Sequence, residues 1–90
     1  MSGSVPRVNV EFYGLARLRA GRVGCSVEAF TVGDALAAAD ATCSGLRAIR
    51  SGGVSSEYLV SVGGARFTTD PNEPLAGGAS LLILGADSGG

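Results

Sequence analysis

The chain contains no histidine, no lysine and no tryptophan. Without histidine it lacks the usual general base near neutral pH and the usual neutral metal ligand. Without lysine it lacks the amine that forms Schiff bases. Its acidic residues are scattered singly, and no pair sits at a spacing that points to acid–base work. The chain is therefore expected to catalyse nothing alone and to bind no metal or cofactor of its own.

Cysteine is scarce too. Cys25 and Cys43 are the only thiols, and their spacing matches no zinc pattern. Both read as small core residues, reduced in the cytoplasm. Five aromatics and 15 glycines predict a light core with many turns. No apolar run approaches the ~20 residues of a membrane span. Met1-Ser2-Gly3-Ser4 lacks the charged and apolar regions of a secretion signal, so a cytoplasmic protein is expected. A formal net charge of −1 provides no basic field for nucleic acid or an anionic membrane.

What is present suffices for one small domain. A chain of 90 residues buries roughly 60% of its extended surface on folding. Val8, Val10 and Phe12 alternate with Asn9, Glu11 and Tyr13, the period of a half-buried strand. Residues 14–21 read as a loop, with Leu15 or Leu18 tucked under the domain. Val23, Cys25 and Val27 alternate in a second strand, near enough to pair with the first as a hairpin.

The one convincing helix opens at Thr31. Thr31-Val32-Gly33-Asp34 fits a capping box, with a hydroxyl for the orphan amides and a carboxylate three residues on. Val32, Leu36, Ala39, Cys43 and Leu46 form one apolar stripe, and alanines supply helix propensity. The helix is predicted over 32–43, stopped near Gly45. Residues 51–56 read as a flexible loop. A third strand covers 58–62 with Val60 and Val62 inward, and Gly63-Gly64 turns the chain into a short strand at Arg66-Phe67. Two prolines keep 70–74 irregular.

Leu81-Leu82-Ile83-Leu84 is short enough to be a strand buried on both faces. Gly85-Ala86-Asp87-Ser88-Gly89-Gly90 has no periodicity and no large side chain. The expected organisation is a domain over 1–84 and a flexible tail over 85–90 that presents the Gly90 carboxylate.

This order of elements, with its diglycine end, resembles the ubiquitin-like β-grasp family. Within it the match is to bacterial sulfur carriers, above all the small subunit of molybdopterin synthase. The resemblance rests on Val10-Glu11-Phe12-Tyr13-Gly14-Leu15-Ala16-Arg17-Leu18-Arg19, Thr31-Val32-Gly33-Asp34-Ala35-Leu36, Val60-Ser61-Val62-Gly63-Gly64, Pro74-Leu75-Ala76-Gly77-Gly78 and Gly89-Gly90. It implies an α+β fold: a mixed four- to five-stranded sheet, first and last strands parallel at its centre, one main helix across one face. Leu81 and Ile83 would then meet the helix. Leu82 and Leu84 would face outward beside Tyr13 and Arg66 as a docking surface.

The resemblance also implies a chemistry. A ubiquitin-activating-type enzyme would use ATP and magnesium to adenylate the Gly90 carboxylate, and sulfur from a persulfide would displace AMP to leave a thiocarboxylate. Gly89 and Gly90 would thread a narrow channel because they carry no Cβ, with Asp87 and Ser88 making polar contacts there. The partners implied are that activating enzyme and the large subunit of molybdopterin synthase. Other acceptors stay open: thiamine, cysteine, a thiolated tRNA base or a secondary metabolite. So does conjugation of Gly90 to lysines of other proteins. Where molybdopterin subunits often carry prolines, this chain reads Gly85-Ala86-Asp87.

Overall fold

A computed structural model describes residues 5–86. In chain order the elements are β1 (Arg7–Phe12), α1 (Leu15–Ala20), β2 (Gly24–Glu28), α2 (Val32–Thr42), β3 (Ile49–Arg50), β4 (Gly53–Val54), β5 (Tyr58–Val62), β6 (Arg66–Thr68) and β7 (Ser80–Gly85).

The apolar run near the end of the chain forms the middle strand of a five-stranded sheet ordered β2-β1-β7-β5-β6. β7 runs parallel to β1, with Val10 beside Leu81 and Phe12 beside Ile83. It runs antiparallel to β5, with Val60 beside Ile83 and Val62 beside Leu81. β1–β2 and β5–β6 are antiparallel. A central strand with both ladders filled needs apolar side chains on its covered face, and Leu81 and Ile83 are completely buried. Each contributes roughly 1.5–3 kcal/mol by leaving water.

α2 covers that face. Thr31 caps it as its sequence predicts, its Oγ1 accepting from the Asp34 N–H at 3.1 Å. Val32, Leu36, Ala39, Cys43 and Leu46 are all buried, so the stripe lies against the sheet. The helix ends at Thr42, with Cys43 as its C-cap. Below it Val8, Val10, Phe12, Val27 and Val60 complete one core. Cys43 is buried and Cys25 half-buried, both as free thiols. Burial foremost, with Cys43 second, pushes the Cys25 thiol pKa up.

Several local expectations change. Residues 15–20 form a helix rather than a loop. Its buried side chain is Ala16; of the two leucines, Leu15 is half-buried against Gly85 whereas Leu18 stands 80% exposed. A 3.6-residue period is hard to see in six residues, and no capping side chain announces the turn. Val23 precedes β2 and is 65% exposed. Residues 51–56 are not wholly loop: β3 and β4 pair Ile49 with Val54 and Arg50 with Gly53. Gly63 and Gly64 make the expected turn with φ of 64° and 74°, values that suit glycine.

Candidate functional site

The register decides what the outer face of the sheet presents. Leu82 lies beside Glu11 on β1 and Ser61 on β5, and Leu84 lies beside Leu59. Ser61 in turn pairs with Phe67 on β6. Period two puts all of these on the face opposite Leu81 and Ile83. Leu82 and Leu84 are half-buried, as expected of an outward pair on a central strand. Two further side chains extend the patch: Leu59, 41% exposed, and Phe67, 62% exposed. Sequence reasoning missed both, although a signal existed. With Val60 turned inward, Leu59 must point outward.

Tyr13 belongs to this face. Its N–H donates to the Ile83 carbonyl at 2.9 Å, which continues the β1–β7 ladder toward Leu84. Its hydroxyl donates to Glu11 at 2.6 Å, and the Arg17 guanidinium sits 5.5 Å from its ring centroid. The Glu11 hydrogen bond is the largest cause of a raised Tyr13 pKa. Arg17 is held in turn by its Nε, which donates to the Phe12 carbonyl at 3.0 Å.

Arg66 does not join Tyr13, Leu82 and Leu84. It pairs with Val62, whose partner on β7 is the inward Leu81, so its parity is that of the opposite face. There it is ion-paired with Glu73, which also accepts from the Thr68 hydroxyl at 2.7 Å. Phe67 occupies the outward position instead.

The far end of β7 is built from four segments. Gly85 remains in the strand, opposite Tyr58, and is buried rather than opening the tail. The Ala86 N–H donates to the Glu57 carbonyl at 2.8 Å. Above this point lies α1, whose Arg19 binds Glu57 and sits 5.7 Å from the Tyr58 ring centroid. Arg50 approaches Glu57 from the other side at 3.7 Å. The hydrogen bond from Arg19 is the main cause of a lowered Glu57 pKa. Asp87, Ser88, Gly89 and Gly90, expected to carry the chemistry, lie outside the described residues.

The described residues hold no group of three or more His, Cys, Asp or Glu side chains able to bind a metal. They also contain no helix long and apolar enough to cross a membrane. What the geometry offers is an apolar face beside a charged corner where the chain leaves its central strand.

This architecture is the ubiquitin-like β-grasp fold. The chain is similar to solved structures of small archaeal modifier proteins. SAMP1 from Haloferax volcanii superposes with a TM-score of 0.79 at 23% identity, over 93% of this chain and 99% of that one. SAMP1 from Methanosarcina acetivorans gives 0.81 at 18% identity, over 98% and 100%. The Haloferax volcanii HVO 2177 protein gives 0.80 at 22% identity, over 100% and 92%. No protein-family model matches the sequence, and no curated protein matches it.

Proposed function

We propose that this chain is a ubiquitin-like carrier that works through its Gly90 carboxylate, activated by a partner enzyme and converted to a thiocarboxylate. The observation that carries this reading is the central strand itself. β7 is fixed by two ladders as far as Ile83 and by the β5 ladder on to Gly85, and the sequence continues from Ala86 through Asp87 and Ser88 to Gly89-Gly90. A rigid handle followed by a segment of small residues suits delivery of one carbonyl carbon into another protein's site.

The carboxylate oxygen attacks the α-phosphorus of ATP, pyrophosphate leaves, and an acyl-adenylate results. A persulfide sulfur attacks the carbonyl carbon and AMP departs. A second thiol then attacks the donor's sulfur in the resulting acyl disulfide, forming a disulfide with the donor while the sulfur–sulfur bond breaks and the thiocarboxylate on Gly90 leaves. This chain supplies the carboxylate and the docking face of Leu59, Phe67, Leu82, Leu84 and Tyr13. ATP, magnesium and the acid–base groups belong to the activating enzyme. The acceptor we favour is a precursor of molybdopterin held by the large subunit of its synthase, with this chain as the small subunit.

A second reading, conjugation of Gly90 to lysines of target proteins, is favoured by the names of the neighbours, which are modifier proteins. With no lysine of its own, the chain cannot form lysine-linked polymers of itself.

Pyrophosphate exchange into ATP tests the shared first step. A cognate ubiquitin-activating-type enzyme should exchange label only when this chain is added, and deletion of Gly89 and Gly90 should abolish the exchange. Exchange that survives the deletion would remove the terminal carboxylate from the reaction. A reductant-resistant ladder of tagged protein would favour conjugation over sulfur transfer.

A further inference from the structure

The fold separates its charges along α2. Where that helix begins, Gly33 packs against Pro71, gathering Asp34, Asp70 and Glu73, with Arg66 bound to Glu73. Where it ends, Gly45 packs so tightly on α1 that a Cβ there would lie 2.7 Å from the Arg19 carbonyl oxygen. At that end an open pocket of roughly 340 Å³ is lined by Arg19, Ser44, Gly45, Arg47, Arg50 and Glu57. Three guanidiniums thus face one carboxylate, in a protein whose formal net charge is −1.

The wall is held in place rather than loosely decorated. Arg47 has φ of 56°, a left-handed conformation uncommon outside glycine. The residues on either side fix it. Leu46 is buried in the core, and Asp40 accepts the Ala48 and Ile49 N–H groups at 2.7 and 3.0 Å. Asp40 is therefore spent on backbone. Arg50 is set by the β3–β4 pair. Arg19 and Arg50 share Glu57, while Arg47 has no carboxylate partner among the described residues. The same Glu57 carries the carbonyl that binds the Ala86 N–H, so the pocket and the departing chain occupy one corner.

The geometry points to this pocket as a docking site for an acidic segment of the protein that receives the tail, with Arg47 and Arg50 as its principal contacts. The inference rests on the carrier reading, since only a partner that takes residues 87–90 must lie over this corner. A peptide segment fits better than a compact phosphate. Glu57 in the wall and the negative end of the α2 dipole oppose a dense anion, whereas spaced carboxylates can reach Arg47 and Arg50 past Glu57. Charges at the edge of such an interface chiefly accelerate encounter and make it salt-dependent.

Two measurements test this, one needing no partner. In the first, 15N-labelled protein at low salt is titrated with a hexaglutamate peptide. Amide and guanidinium shifts should concentrate at residues 44–50 and Arg19, and vanish in the Arg47→Glu/Arg50→Glu variant. Shifts absent, or equal around Arg7 and Arg66, would overturn the assignment. In the second, pyrophosphate exchange is compared for wild type, Arg47→Glu/Arg50→Glu and the remote control Arg66→Glu. The pocket variant should lose about tenfold in kcat/KM at low salt, and the loss should shrink as salt screens it. Equal rates for both variants would overturn the role of the pocket with the partner. Wild type inert in exchange would instead strike the carrier reading, which the peptide titration does not require.

Discussion

Leu15 rests on Gly85 so closely that a methyl group on Gly85 would lie 2.8 Å from the Leu15 Cβ. This contact seats α1 on the last residue of the central strand. Gly85→Ala should therefore push α1 away and destabilise the fold by about 1–3 kcal/mol, the usual cost of overpacking. Urea unfolding measures it, and Leu15→Ala in the same chain should recover part of the loss. A Gly85→Ala protein as stable as wild type would mean that the strand ends earlier.

Tyr58 joins the sheet to the loop after α2 through its hydroxyl, which donates to the Leu46 carbonyl in the interior. Tyr58→Phe leaves that buried carbonyl unpaired and should cost about 1–3 kcal/mol, again by urea unfolding.

The outer face is expected to matter for partners and not for folding. Phe67→Ser and Leu59→Ser change exposed side chains, so stability should move by about 0.5 kcal/mol or less. Activation by the partner enzyme should fall for both, mainly through KM. Unchanged kinetics would take these residues out of the docking surface.

Glu57 gives a pH-dependent signature. Its folded pKa is depressed, above all by the Arg19 hydrogen bond, so its contribution to stability is present above the ordinary glutamate pKa. It is lost as pH falls through the folded value on the acid side. Carboxyl NMR titration should show the Glu57 midpoint below the ordinary value and returning toward it in Arg19→Gln.

The thiols should be sluggish. Burial raises the Cys25 pKa and so lowers its thiolate fraction, and the burial of Cys43 keeps reagents away from its sulfur. Labelling with a thiol reagent should be slow in the native protein and fast once denaturant unfolds it.

Much of this architecture is legible in the chain because its long elements repeat their signals. The capping box at Thr31 and the stripe from Val32 to Leu46 place α2. The alternation around Val8, Val10 and Phe12 places β1. The parity of Leu81 and Ile83 against Leu82 and Leu84 holds, although four consecutive apolar residues leave period two ambiguous by themselves. Short elements are where local pattern fails. α1 has too few residues to display a helical period, and β3 and β4 are two-residue strands specified by their pairing alone. The face of Arg66 is not legible in the sequence, because one residue of register decides it and the pairing of Val62 with Leu81 is a tertiary fact. The cationic pocket could not be read at all, since Arg19, Arg47 and Arg50 converge only after α1 packs on Gly45.

The Gly90 carboxylate is the reacting group of the proposed function. Intact mass spectrometry after incubation with ATP, magnesium, the cognate activating enzyme and a persulfide source tests it directly. A gain equal to the difference between one sulfur and one oxygen, located on the C-terminal peptide and missing after deletion of Gly89 and Gly90, is the predicted result. An unchanged mass, with an enzyme that thiocarboxylates another ubiquitin-like carrier under the same conditions, would contradict it.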